Sequence, residues 1–232
     1  MAAAPLNFDK PGSVVELELI ADPAAHASKQ PVKLTGRSQR LQLIATARYD
    51  SGVLRDVTQQ ANYQANPGGV VQVDSSGFVV PVGDGSVTVV ASASGRQASV
   101  QITVERINDP PAVNFANEVS PILTKLGCNG GGCHGKSGGQ NGFALSLLGF
   151  EPQEDYTHIV KEGRGRRLSP AAPAHSLLLR KATGQSPHGG GMRLAPDGDD
   201  YRMLLLWIEQ GMPQGQADDP TLVGVSVYPT TR

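Results

Sequence analysis

The chain has 232 residues, a length that favours two compact domains of roughly 100 residues each. Its 20 basic and 21 acidic residues give a net charge of -1 with no basic stripe, so nucleic acid is not an expected partner. No apolar run approaches the roughly 18 residues of a membrane span, and the first residues lack the pattern of a signal peptide.

The N-terminal half alternates apolar and polar residues over short runs that are separated by glycine-containing turn signals. Two of these runs place every second residue on one face, which predicts strands with one buried side. The residues on these faces are Val87, Val89, Ala91 and Ala93 in one run and Ala98, Val100, Ile102 and Val104 in the other. Residues 1–107 are therefore predicted to form an all-β sandwich.

The motifs of this half, LQLIATARYDSGVLRDVT followed by VVQVDSSGFVVPVGDGSVTVVASASGRQASVQITV, resemble the bacterial immunoglobulin-like group 2 domain. The resemblance implies an immunoglobulin-like sandwich that serves as an extracytoplasmic spacer or adhesion module. It brings no catalytic residue with it.

A change of pattern follows at residues 108–112, where two consecutive prolines cannot continue a strand ladder and predict a linker. Beyond the linker, apolar residues at helical spacing predict a helix from about Phe115 to Leu126, which begins after Asn114 as N-cap and stops at Gly127. A short helix and a longer amphipathic helix are also predicted, around residues 176–181 and 201–208. Residues 113–216 are thus predicted to form a mainly helical domain.

The two cysteines of the chain, Cys128 and Cys133, lie in a glycine-rich loop directly before His134. Thiols can add across the two vinyl groups of haem, and the adjacent histidine can supply the proximal iron ligand. Four residues separate the cysteines where the usual motif has two; we expect the three glycines among them to adopt positive φ and bulge the loop. The cluster predicts one covalent haem c. A local disulfide and a zinc site are alternatives, although zinc would need a fourth ligand.

Four segments of this half, NEVSPILTKLGCNGGGCHGKSGGQNGFALSLLGF, KEGRGRR, PAAPAHSLLLRKATGQSPHGGG and YRMLLLWIEQGMP, resemble the planctomycete-type cytochrome c domain. The resemblance covers about Val113 to Pro213. It implies a class I cytochrome c-like domain with a role in electron transfer, in a family whose members often lie beside immunoglobulin-like modules in large exported proteins. It does not identify the redox partner.

Two further groups of residues are candidates for the haem pocket. Arg164, Arg166 and Arg167 could neutralise the haem propionates through charge-assisted hydrogen bonds, with a solvated basic loop as the equal alternative. Trp207 could form an apolar wall of the pocket or belong to the ordinary core.

The sixth iron ligand has two candidates in one loop, His188 and Met192. We favour His188, because Pro187 fixes the approach of the chain and three glycines let the backbone run close to a porphyrin. Met192 remains the alternative ligand. His158 and His175 are expected on the surface.

These observations predict an electron-transfer module with one covalent haem, part of a larger exported protein whose redox partner is unknown. The alternatives are a peroxidase-like enzyme or small-gas-binding protein, either of which needs a vacant iron position, and a structural spacer of a surface protein. We expect an extracytoplasmic location and a signal peptide that was removed. The tail, residues 217–232, is predicted to begin a further immunoglobulin-like repeat, because Val223–Pro229 alternates as the first strand does.

Overall fold

A computed structural model of the chain describes residues 11–22, 26, 30–216, 218–220 and 224. The described residues form two compact units, one up to Pro111 and the other from Ala112 onward. Each unit has a hydrophobic core of its own. The predicted strand at Val223–Pro229 lies outside the described residues except for Gly224. No helix in the described part of the chain is long and apolar enough to span a membrane.

The regular structure of the first unit, in its described part, consists of ten strands and one 3-10 turn, Thr58–Gln60. The strands are β1 (Val14–Ile20), β2 (Val32–Thr35), β3 (Leu41–Gln42), β4 (Ile44–Tyr49), β5 (Leu54–Asp56), β6 (Asn62–Asn66), β7 (Val71–Val73), β8 (Phe78–Pro81), β9 (Gly85–Ala93) and β10 (Arg96–Glu105). These strands form three sheets with the orders β1-β4-β5, β2-β10-β9-β6 and β3-β8-β7. All the pairs are antiparallel except β2 with β10, which is parallel.

The hairpin of β9 and β10 shows how the sequence specifies this sheet. Ser94 and Gly95 form the two-residue turn, both with positive φ, as a type I′ turn requires. Val89 and Ile102 are fully buried on the face that the alternation predicts. The sequence did not predict the strands β2, β5 and β6. Neither β5 nor β6 contains a fully buried residue, so no apolar pattern marks them.

The second unit contains four short α-helices among its described residues. They are α1 (Ser120–Lys125), α2 (Pro152–Val160), α3 (Leu177–Ala182) and α4 (Asp199–Glu209). A π-helical turn, Phe115–Val119, leads into α1, and the Asn114 side chain caps it by accepting a hydrogen bond from the Asn117 N–H. α2 was not predicted from the sequence.

The predicted fold class, an immunoglobulin-like sandwich followed by a mainly α class I cytochrome c-like domain, is wrong. Among the described residues, the second unit is not mainly helical, since its α-helices have only 6, 9, 6 and 11 residues. Long irregular loops connect them. The physical reason is the spacing of chain breakers: residues with positive φ, such as Gly127, Gly184 and Gly211, follow soon after the helices and stop their extension.

The core of the second unit is centred on three aromatic rings. The Phe115 ring lies 5.4 Å from the Tyr156 ring and 5.5 Å from the Trp207 ring, measured between centroids. Trp207 has no exposed surface, and its Nε1 donates a hydrogen bond to the Pro213 carbonyl at 2.9 Å. This core packs the loop that carries the cysteines onto the C-terminal helix, since Leu123 of α1 and Leu204 of α4 belong to the same cluster.

Candidate functional site

The cysteine loop begins at the C-terminus of α1. The Cys128 N–H donates to the Leu123 carbonyl at 2.8 Å, and the Gly127 N–H donates to the Thr124 carbonyl at 3.0 Å. With Gly127 at φ +73°, this is a Schellman motif, which satisfies carbonyls that the helix end leaves free. The helix therefore stops at Gly127, as predicted, and this stop sets the position of Cys128, the first residue after it.

The loop between the cysteines turns back on itself through backbone hydrogen bonds. The His134 N–H donates to the Cys128 carbonyl at 3.0 Å, and the Cys133 N–H donates to the Gly130 carbonyl at 2.9 Å. The expectation that the inserted glycines adopt positive φ is wrong, because residues 130–132 all lie outside that region. At Gly132 a β-carbon would meet no neighbouring atom within 4 Å, whereas at Gly130 it would come within 3.3 Å of the Gly127 carbonyl.

Asn129 holds this loop through both its side chain and its main chain. It is fully buried, its side-chain Nδ2 donates to the Thr124 hydroxyl of α1 at 2.8 Å, and its main-chain carbonyl accepts the Leu148 N–H at 3.1 Å. A methyl group at Gly135 would overlap the same Asn129 carbonyl, so only glycine fits there. The loop is thus tied at both ends by contacts that the haem-motif interpretation did not include.

His134 is held in one tautomer by the loop that follows. Its Nδ1 lies 2.9 Å from the Phe143 carbonyl, and because a carbonyl only accepts, Nδ1 carries the proton and Nε2 keeps its lone pair. Burial lowers the pKa of His134 below its usual 6.5, despite the opposing effect of that hydrogen bond. Burial therefore favours the neutral imidazole, the form that binds a metal.

His188 faces His134 in the same tautomer. Its Nδ1 lies 2.9 Å from the Gly191 carbonyl, while the Gly191 N–H donates to the His188 carbonyl at 3.0 Å, so one tight turn fixes the ring. The two imidazole planes are within 7° of parallel, and their centroids are 6.3 Å apart. A β-carbon at Gly190 would come within 3.0 Å of the His188 ring, which explains the small residue beside it.

The two histidines line a cavity of about 910 Å³, a size in the range of cofactor sites. Both cysteines line it as well. Its apolar wall consists of Leu123, Leu126, Phe143, Leu145, Leu177, Leu178, Ala182 and Leu204. Its charged residues are all basic, namely Arg166, Arg167, Lys181 and Arg193. The cavity therefore suits a large apolar ligand that carries negative charge.

The two thiols are free, so the disulfide alternative is not formed in this structure. Burial, followed by the proximity of Cys133, raises the pKa of the Cys128 thiol. Within the described residues, no group of three or more His, Cys, Asp or Glu side chains is arranged to hold a metal ion.

The remaining predicted pocket residues divide between the cavity and other places. Arg166 and Arg167 line the cavity, whereas Arg164 is exposed and is not among its lining residues. Trp207 and Met192 are also not among them: Trp207 lies in the aromatic core, and the Met192 side chain is 67% exposed.

Two cationic lining residues, Lys181 and Arg193, were missed at the sequence level. Arg193 follows the His188 turn, and its Nε donates to the Gly190 carbonyl at 2.8 Å. Lys181 lies on α3, and its Nζ donates to the Pro187 carbonyl at 2.8 Å. Both therefore hold the His188 turn while facing the cavity. Both residues lie close in sequence to the segment PHGGG, and this closeness is the signal from which they could have been predicted.

No protein-family model matches the chain, and no curated protein matches it. Solved structures give slight likenesses. An intimin mutant of EHEC O157:H7 is 23% identical over 32% of this chain and 35% of its own, with a TM-score of 0.24. Two structures of the S-layer protein SbsC are 18% and 20% identical over 41% and 46% of this chain, with TM-scores of 0.30 and 0.31. This chain spans 15% and 17% of those two. None of the three is named as a cytochrome.

Proposed function

We propose that the second unit binds one haem, attached covalently through Cys128 and Cys133, and that it serves as an electron carrier rather than an enzyme. His134 and His188 would hold the iron, and the bound haem would supply one-electron chemistry. The observation that carries this proposal is the parallel pair of imidazoles across the cavity, each with its Nδ1 proton engaged by a backbone carbonyl.

The two rings lie close enough for one group to contact both. Their centroids are 6.3 Å apart, their planes are within 7° of parallel, and both side chains line the same cavity. A hydrogen bond from the other ring nitrogen to a carbonyl is the usual partner of a metal-bound histidine.

The composition of the cavity supports the same ligand. A haem has an apolar ring and two carboxylates, which match an apolar wall with basic side chains such as Arg166 and Arg193 around it. Addition of each thiol S–H across one vinyl group forms a carbon–sulfur bond without loss of atoms. When bound, haem supplies one-electron chemistry; the protein holds it, orients two ligands and excludes water.

With both axial positions occupied by histidine, this arrangement disfavours the peroxidase-like and gas-binding alternatives, which need a vacant iron position. The electron donor and acceptor would be other proteins or domains. An extracytoplasmic location belongs to the proposal, because thioether attachment takes place on the export side of bacterial membranes.

The experiment that tests this function is haem retention. The chain is produced in a bacterium with the c-type maturation apparatus and treated with acidic acetone, which extracts non-covalent haem. We expect the haem to remain with the polypeptide, and to be lost when both cysteines are replaced in Cys128→Ser/Cys133→Ser. Complete extraction from the unaltered chain would contradict the proposal.

A structural spacer in a surface protein is the second candidate function. It is favoured by the first unit, where Val79 of β8 and Val89 of β9 are fully buried in a core built mainly from strand residues. The cleft found there measures about 100 Å³, too small for an organic cofactor. A chain that never takes up haem in the experiment above would leave this candidate.

A further inference from the structure

Arg167 is an unusual arginine, because its side chain is directed into the protein rather than into solvent. The residue is only 6% exposed. Its Nη1 donates to the carbonyls of His158 and Glu162, at 2.8 and 2.9 Å, and its Nη2 donates to the Gly142 carbonyl at 2.8 Å. The guanidinium is therefore engaged by three backbone groups, whereas the sequence offered it either as a partner of a haem propionate or as part of a solvated basic loop.

These three carbonyls belong to two separate segments of the second unit. His158 is in the last turn of α2 and Glu162 follows that helix, whereas Gly142 lies in the loop after the cysteines. The last carbonyls of a helix have no partner within it, so Arg167 both satisfies one of them and fastens the loop to the helix end. The guanidinium reaches these carbonyls from two nitrogens held in one plane, whereas a lysine would have to reach them from a single nitrogen.

The loop that Arg167 fastens is the one that holds His134. The Arg167 guanidinium carbon lies 4.5 Å from the centroid of the Phe143 ring, and the Phe143 ring lies 4.5 Å from the His134 ring. The Phe143 carbonyl, one residue after Gly142, accepts the His134 Nδ1 proton. The Arg167 guanidinium thus contacts the Phe143 ring, which in turn contacts the His134 ring at a tilt of 45°, and the three residues are joined also through the backbone.

We propose that Arg167 is the positioning residue of His134. By fixing Gly142 and Phe143, it holds the carbonyl that selects the Nδ1-protonated tautomer and leaves Nε2 available at the cavity. Its buried positive charge, one aromatic ring away from His134, would also favour the reduced state of a bound iron. The inference rests on the proposed function for the identity of the group that His134 binds.

The test begins with the full chain purified without haem, so that it does not depend on haem attachment. Nitrogen-15 NMR of the histidine side chains reports the tautomer of each ring. In the unaltered protein we expect His134 and His188 both to be protonated at Nδ1. In Arg167→Met, His134 should lose this preference while His188, held by its own turn, keeps it. Arg164→Met, which removes an exposed arginine outside the cavity, is the matched control and should change neither ring.

The haem-loaded protein provides the second readout. Arg167→Met should lower the reduction potential relative to the unaltered protein, whereas Arg167→Lys should restore part of the potential but not the His134 tautomer, because it keeps the charge without the planar guanidinium. Arg167→Lys also serves as the folded variant if Arg167→Met does not fold.

An unchanged His134 tautomer in a folded Arg167 variant would overturn the inference. Failure of the proposed function would be recognised by a different result, because the unaltered chain would then take up no haem. The tautomer experiment would still decide the role of Arg167.

Discussion

At the scale of single residues, the site depends on two imidazoles that are each oriented by a main-chain carbonyl. Sequence analysis identified His134 from its neighbouring cysteines and favoured His188 from the glycines beside it. It could not identify the two orienting groups, the Phe143 and Gly191 carbonyls, because a backbone oxygen has no side-chain signature. Their positions follow from the folded loops and not from residue type.

The choice of sixth ligand gives the first prediction. His188→Ala should convert a low-spin ferric haem to a high-spin form that binds cyanide or carbon monoxide rapidly, because one axial position becomes vacant. Met192→Ala should leave the spectrum unchanged, since that side chain is 67% exposed. Absorption spectra of the two haem-loaded variants provide the measurement. A low-spin spectrum that persists in His188→Ala and disappears in Met192→Ala would show that methionine is the ligand.

A second prediction concerns the pH dependence of stability in the haem-free chain. Burial lowers the pKa of His134 below 6.5, so the unfolded state binds the proton more readily than the folded state. Stability is therefore fully present above pH 6.5 and is lost as the pH falls below it towards the folded pKa. His134→Gln should flatten this decline in the free energy of unfolding, measured in urea at several pH values.

His175→Gln, which replaces an exposed histidine of the same unit, is the control and should keep the decline. Equal slopes in the unaltered chain and in His134→Gln would show that another group causes the pH dependence.

At the scale of elements, the loop from Cys128 to Gly135 has to make a tight return directly after a helix. Its start was predictable, because Gly127 is a typical C-terminal stop and the structure uses it in a Schellman motif. Its interior was not, since none of the glycines at 130–132 has the positive φ that their residue type suggested, and only Gly132 has open space beside it. It is Gly135 that has to be glycine, because its backbone lies directly against the Asn129 carbonyl. Composition alone could not distinguish these two uses of glycine.

The third prediction follows from this difference. Gly135→Ala should destabilise the haem-free chain by about 3 kcal/mol, because the new methyl group overlaps the Asn129 carbonyl and the backbone has to move. Gly132→Ala, at a position with no atom within 4 Å, should change stability by no more than about 0.5 kcal/mol. Urea unfolding measures both. Equal losses in the two variants would contradict the geometry of the loop.

At the scale of the whole molecule, the described residues form two units whose cores differ in kind. The first has a core of alternating strand residues, which sequence analysis anticipated for β9 and β10. The second combines short helices with long loops, and its description as mainly helical failed because loop residues, among them Phe143 and Leu194, contribute to its hydrophobic core. Amphipathic periodicity detects helices, but it does not detect irregular segments that are held by polar backbone contacts.

Separate cores lead to the fourth prediction. Ile102 in β10 and Leu179 in α3 are both buried, in different clusters. Replacing either by alanine should cost about 3 kcal/mol in its own unit, because each change leaves a cavity. In calorimetry of the haem-free full chain, we expect two transitions, with Ile102→Ala lowering one and Leu179→Ala lowering the other. A single transition that both variants lower equally would contradict independent cores.

The central claim, that this chain carries a haem bound through two thioethers, is tested most directly by the absorption spectrum of its reduced pyridine derivative. The spectrum depends on how many haem vinyl groups are saturated. The proposal predicts the bands of a haem with both vinyl groups saturated, and a shift towards the single-vinyl form in either Cys128→Ser or Cys133→Ser. A spectrum with both vinyl groups intact, or no haem spectrum from the unaltered chain, would contradict it.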